Sequence, residues 1–178
     1  MSAVPELVVR PVGPGDLGVV QRALYLAALW QGEDERWPPG RVLAHEYFVM
    51  YHAAWGREGD VGVMAVVDGA PIGAAFGRLF TEEEHGHGFV DRDTPEIAIG
   101  VEPSHRGRGI GRALLTALAD AYRRLGITAM SLSVENGNPA VRLYERAGFV
   151  TVRDDGNARV MLTRLDVPSR PTSRFGAG

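Results

Sequence analysis

Between Pro95 and Arg112 the chain runs Pro95-Glu96-Ile97-Ala98-Ile99-Gly100-Val101, then Glu102-Pro103-Ser104-His105, then Arg106-Gly107-Arg108-Gly109-Ile110-Gly111-Arg112. It reads as a short strand, a tight turn, a glycine-rich loop and the start of a helix. A helix that opens directly after such a loop presents free backbone N–H groups and the positive end of its dipole, which together make an anion site. Gly107, Gly109 and Gly111 remove side chains that would hold a phosphate away from the backbone. Arg106, Arg108 and Arg112 add positive charge, so a pyrophosphate is the natural guest. The P-loop pattern fails, because Ile110-Gly111-Arg112 stands where a lysine and a hydroxyl residue are required. The dinucleotide fingerprint also fails: Gly111 comes one position early, and Met130-Ser131-Leu132-Ser133 lacks the acid expected about 20 residues on. A bare glycine turn joining strand to helix is the plain alternative.

The strand ahead of the loop adds a second constraint. Alternation puts Ile97, Ile99 and Val101 on one face and Glu96, Ala98 and Gly100 on the other. The second face is nearly free of bulk and carries one carboxylate. A narrow ligand beside it would meet backbone groups and then Glu96; the alternative is an exposed face with a solvated glutamate.

The rest of the chain supplies the scaffold. Leu7-Val8-Val9-Arg10 is a short strand, and Asp16 is placed to N-cap a helix from Leu17 to about Gln31. A second helix is expected from Arg41 to Trp55, stopped by Gly56, with Tyr47, Tyr51 and Trp55 on one face. Val61 to Val67 and about Pro71 to Phe80 read as strands paired across an Asp68-Gly69 hairpin turn. After the strand from Pro95 to Val101, the helix from about Ile110 to Leu125 carries an apolar stripe of Leu114, Leu115, Leu118, Tyr122 and Leu125. Ile127 to Val134 is a strand, Asn138 can N-cap a helix with Pro139 at its first position, and Phe149 to Arg153 and Ala158 to Leu165 form a last strand pair. This order gives an α/β protein with one mixed sheet and helices on both faces.

At 178 residues the chain suits one well-buried domain, residues 1–165, while the Pro-, Ser-, Arg- and Gly-rich stretch 166–178 is expected to be a disordered tail. A net charge of −3 argues against a general nucleic-acid binder. No apolar run approaches the roughly 20 residues of a membrane span, and residues 1–10 lack a secretory pattern. The absence of cysteine removes thiolate metal sites and a cysteine acyl-enzyme, and fits a cytoplasmic protein. Glu84-His85-Gly86-His87 lacks a clear third ligand, so no metal is expected.

The segment from Pro95 to Gly111 resembles motif A of the GCN5-related N-acetyltransferase (GNAT) superfamily, an Arg/Gln-x-x-Gly-x-Gly/Ala loop after a strand. Asn138-Pro139-Ala140-Val141-Arg142-Leu143-Tyr144-Glu145-Arg146-Ala147-Gly148-Phe149 is similar to the same family's motif B, and the two come in the family's order and spacing. The resemblance covers the element order from about Leu7 to Leu165. It implies a GNAT-like fold, a central mixed and mostly antiparallel sheet flanked by helices, and transfer of an acetyl group from acetyl-CoA to an amine.

By that resemblance the N–H groups of Arg106, Gly107, Arg108, Gly109, Ile110, Gly111 and Arg112 hold the pyrophosphate. The backbone around Ile99, Gly100 and Val101 pairs with the pantetheine arm. Asn138 either reaches the pantetheine or caps its own helix. Glu96 matches the family's frequent general base and Tyr144 its usual general acid. An amine near pKa 10 arrives protonated, and a carboxylate near 4.3 is a poor base unless burial raises it or a water relays the proton. With no cysteine, direct transfer in a ternary complex is preferred. The acceptor is a small-molecule or peptide amine. Trp30, Trp37, Tyr47, Tyr51, Trp55 and the runs Glu33-Asp34-Glu35 and Glu82-Glu83-Glu84 are candidates to shape its pocket, although aromatics at helical spacing are more often core. A homodimer is common among similar proteins. The reading from another class is a module that binds acyl-CoA as a sensor or scaffold without catalysing.

Overall fold

A computed structural model of the protein describes residues 6–166. The chain order is β1 (Leu7–Pro11), α1 (Leu17–Ala28), α2 (Pro39–Ala44), α3 (Glu46–His52), β2 (Val61–Val67), β3 (Ala70–Arg78), β4 (Glu96–Val101), α4 (Ile110–Arg124), β5 (Ala129–Glu135), α5 (Val141–Arg146), β6 (Val150–Asp154) and β7 (Ala158–Arg164). The strands form one sheet in the order β1-β2-β3-β4-β5-β7-β6. Every adjacent pair is antiparallel except β4 and β5, which are parallel. A parallel pair needs a crossover, and α4 supplies it. Asp68 (φ 49°) and Gly69 (φ 80°) are both left-handed, the conformation that a two-residue hairpin turn of the primed type requires.

Period-two patterning splits the core between the two faces of the sheet. Val63 and Ala65 of β2, Ile97 of β4 and Met130 and Leu132 of β5 meet Leu114, Leu115, Leu118 and Tyr122 of α4. Met64, Ala74 and Phe76 face the other way and meet Val20, Ala23 and Leu24 of α1, with Tyr51 and Phe80. The small face of β4 belongs to this second layer. A Cβ placed on Gly100 would collide with the backbone of Ala23, so the face expected to lie open beside a ligand is covered by α1. Absence of bulk there serves close helix packing.

The expected helix from Arg41 to Trp55 is two short helices. The break falls at His45, whose backbone is extended (φ −68°, ψ 133°) and whose ring accepts from Tyr47 N–H at 3.2 Å, capping α3. Further on, Arg78 takes the carbonyls of Met50 (2.6 Å) and Ala53 (2.9 Å), so these acceptors are satisfied by a guanidinium rather than by another turn of helix. The same guanidinium holds Asp60 in two 2.7 Å bonds, and both side chains are 1% exposed. Trp55 therefore leaves the Tyr47–Tyr51 face and packs edge-on against Phe76.

Asp16 stands at the start of α1, but its carboxylate turns back to Gly13 N–H and Arg10, each at 2.8 Å, instead of capping the helix, and α1 stops at Ala28, short of Gln31. Asn138 accepts from Ala140 N–H at 2.9 Å across the turn that leads into α5; the helix begins only at Val141, with Ala140 at its N-cap position and no side-chain cap, so Asn138 does not cap it. The tail expected from residue 166 onward lies outside the described residues apart from Asp166.

Candidate active site

β4 and β5 are in register only at Glu96 and Ser131, where Ser131 N–H donates to Pro95 O at 3.0 Å. Beyond that point the strands part and a cleft of about 1610 Å³ opens. Residues 97–101 line one side, and residues 133–136 with Asn138 line the other. The edge of β4 that faces β5 thus has no strand partner along most of its length, which is what an extended ligand needs in order to add as a strand. The glycine loop lies at the C-terminal end of β4 and Glu96 at its N-terminal end.

At the loop end, Gly107 (φ 73°) and Gly109 (φ 80°) adopt the left-handed turn that leads into α4. The first helical bond is Ala113 N–H to Gly109 O, so the N–H groups ahead of it have no acceptor within the helix. Gly111 packs against α5, where a Cβ would lie 2.9 Å from Leu143 Cδ2, and this joins the two sequence motifs in space. Arg106, Gly107, Gly109, Ile110, Gly111 and Arg112 line the cleft, while Arg108 is exposed outside it. The Arg106 guanidinium is turned toward the end of β4, donating to Val101 O at 2.9 Å. Trp30 reaches from the end of α1 across to Glu135 of β5, its indole N–H donating to the carboxylate at 2.8 Å.

Tyr144 is buried in the cleft wall with its ring edge-on to Phe149. Burial raises its phenol above the ordinary tyrosine value, so it stays protonated at neutral pH.

Glu96 is 3% exposed, far from a solvated strand glutamate. Its Oε1 accepts from Tyr51 O–H at 2.6 Å and from Gly88 N–H at 2.8 Å; its Oε2 has no partner, and neither does Ser131 Oγ in the adjacent register position. Burial raises the carboxyl above its ordinary value, opposed chiefly by the bonds from Tyr51 and Gly88 and by the nearby His85. The loop of residues 81–94 passes over this carboxylate because it carries glycine there. A Cβ on Gly86 would strike Tyr51 Oη and both Glu96 oxygens, and one on Gly88 would meet Glu96 Oε1 and the backbone of β5.

Sequence reasoning placed Glu96, Tyr144, Asn138 and the glycine loop, and the structure gathers them, apart from Arg108, around one cleft. It left unseen the Tyr51–Glu96 bond, the cover over Glu96 and the Arg78–Asp60 anchor. The available signal was the pair of glycines, Gly86 and Gly88, in and just after Glu84-His85-Gly86-His87, the stretch weighed as a metal motif. The two rings instead pack apart, His85 stacked on Phe89 and His87 against Tyr47, and among the described residues no group of three or more His, Cys, Asp or Glu could hold a metal. Among the described residues no helix is long and apolar enough to cross a membrane.

A seven-stranded mixed sheet that splays beside a glycine loop is the architecture that the resemblance implied, and comparison with known proteins agrees. The family model described as "Acetyltransferase (GNAT) family" matches residues 26–149, and the chain belongs to that family. It is similar to acetyltransferase Pat of Mycolicibacterium smegmatis, 30% identical over 173 residues, covering 93% of this chain and 47% of that protein. It is also similar to the L-methionine sulfoximine/L-methionine sulfone acetyltransferase of Salmonella typhimurium, 42% identical over 59 residues, covering 33% of this chain and 34% of that one. The chain thus spans less than half the length of these curated relatives. The structure of yncA from Salmonella typhimurium with its cofactor acetyl-CoA superimposes with a TM-score of 0.63 at 24% identity, covering 94% of this chain and 99% of that one.

Proposed function

We propose that the protein is an acetyl-CoA-dependent N-acetyltransferase acting on a primary amine by direct attack in a ternary complex. The observation that carries this reading is the buried Glu96, with one oxygen unpartnered, at the opposite end of a cleft from a phosphate-shaped loop. The residues fit the donor. The N–H groups of residues 107–112 and Arg112 would hold the pyrophosphate, and the unpaired edge of β4 would hold the pantetheine arm. Bound acetyl-CoA supplies an acetyl group activated as a thioester.

The chain's own residues handle protons. An aliphatic ammonium must lose one before nitrogen can attack, and Glu96 is the acceptor; the rise in its pKa brings it closer to the amine's and makes it the better base. Tyr144, held protonated in an apolar wall, donates to the departing sulfur. The aromatic surroundings of Glu96, with Tyr47 and Tyr51, suit a cationic acceptor. The relatives' named acceptors remain their own.

Calorimetry with acetyl-CoA, ATP and NAD, followed by an amine panel monitored for free thiol, tests this reading. Acetyl-CoA should bind in preference to both nucleotides. Glu96→Gln and Tyr144→Phe should each lower kcat by about 10²-fold or more while leaving acetyl-CoA affinity within about twofold. Binding without thiol release across the whole panel would instead mark a binding module.

A further inference from the structure

The geometry points to Tyr51 as the positioning residue of Glu96: a chain of donors from the His87 backbone through Tyr47 and Tyr51 ends on Oε1 and leaves Oε2 to take the acceptor's proton. This rests on the reading of Glu96 as general base. The polarity of the chain follows from what each group can do. An ionised carboxylate only accepts, so Tyr51 O–H donates to Oε1 at 2.6 Å. With its proton committed, Tyr51 Oη can only accept from Tyr47 O–H at 3.1 Å. Tyr47 Oη in turn accepts from His87 N–H at 3.2 Å, and a backbone N–H has no other role. Three donors therefore point the same way, each polarising the next, and Gly88 N–H adds a second bond to the same oxygen.

The two oxygens of one carboxylate are thereby made unequal. Oε1 carries two charge-assisted bonds, while Oε2 is buried with none. The basic lone pairs are those of Oε2. Because the chain ends on a backbone N–H rather than on a side-chain acid or base, it gives the proton no path outward. Its effect is to hold and tune.

The groups that face Glu96 are few. Tyr51, backed by Tyr47, comes from α3, His85 and the backbone of Gly86 and Gly88 from the loop above, and neutral Ser131 from β5; Arg78, opposite Glu96 on β3, is committed to Asp60. His85 favours the charged form, as Tyr51 does. Tyr51 also packs edge-on against Phe80, a contact that a phenylalanine keeps, so removal of the hydroxyl alone leaves the core intact.

The test is a ¹³C-carboxyl NMR titration of the full chain, with the Glu96 resonance assigned by its loss in Glu96→Gln. Donation from Tyr51 favours the ionised form, so Tyr51→Phe should move the Glu96 midpoint upward by roughly one pH unit. Tyr47→Phe, one bond further out, should move it upward by less. Acetyl-CoA affinity, measured in the same samples, should stay within about twofold. The same titrations in a His85→Gln background separate the histidine's charge from the tyrosine's bond. With any panel amine that turns over, the acid limb of kcat/KM should move with the midpoint, which a purely structural loss would not do.

A midpoint that stays put or falls in Tyr51→Phe overturns the assignment. If that variant fails to fold, an unmoved midpoint in Tyr47→Phe does so. Unchanged turnover in Glu96→Gln is a different failure: it removes the base while leaving any midpoint shift standing.

Discussion

The two ends of the cleft are built in opposite ways. The loop end is six consecutive residues, 107–112, proposed to act through backbone N–H groups, since the Arg106 N–H is held by Pro103 O, and its shape comes from left-handed turns at Gly107 and Gly109. The carboxylate end is drawn from α3, the 81–94 loop, β4 and β5. There side chains do the binding and glycines only make room. A backbone site tolerates exchange of its side chains but not a Cβ that alters φ. A site of interlocking side chains fails when any member moves, wherever the cause lies.

The largest expected effect strikes the anchor of the second end. Arg78→Met leaves Asp60 buried without its partner and releases the end of α3, and should cost about 3–5 kcal/mol in denaturant unfolding. A loss below about 1 kcal/mol would show that α3 is held by packing alone. Next, Gly109→Val forces a β-branched residue into a left-handed turn. It should weaken acetyl-CoA binding by about tenfold or more while leaving the Glu96 midpoint where it was; equal damage at both ends would erase the distinction between them. Gly86→Ala is its mirror image, with a methyl that must displace Tyr51 or Glu96. It should lower turnover by about tenfold with acetyl-CoA affinity unchanged within about twofold.

The smallest effect concerns stability and pH. In the folded chain the Glu96 carboxyl titrates above its ordinary value because it is buried. Between the unfolded and folded values the native state holds more protons than the unfolded state, so stability falls as pH rises through that window. Gln has no charge to bury. Glu96→Gln should therefore raise Tm at alkaline pH, by about 2–4 °C for each kcal/mol relieved, and the gain should vanish at pH values below the ordinary carboxylate range. A Tm gain that persists there would assign the effect to packing.

The same contrast explains what could be read from the sequence. The glycine loop, the hairpin at Asp68-Gly69 and the order of strands are local patterns, with cause and consequence within a few residues of each other. What went unread depends on distance. The helix expected from Arg41 to Trp55 is cut short by Arg78, more than twenty residues downstream, which takes its carbonyls. The small face of β4 looked open because nothing nearby in sequence announces that Ala23 lies against Gly100. The burial of Glu96 could not be read, and a solvated glutamate stayed open as the alternative, because its cover comes from a polar, glycine-bearing loop whose composition suggests solvent.

The contact between Gly100 and Ala23 also bears on how the cleft can move. With backbone against backbone, α1 and β4 have no compressible side chain between them at that point and act as a single jaw. The opposing wall is β5 with α5, tied to the first by the strand bridge at Glu96 and Ser131, by the α4 core that packs on both strands, and by the Trp30–Glu135 bond at the mouth. The cleft is therefore tied at two places: the strand bridge closes its narrow end at Glu96, and the indole bond spans its mouth. The carboxylate proposed as the base thus sits where the two strands are still joined.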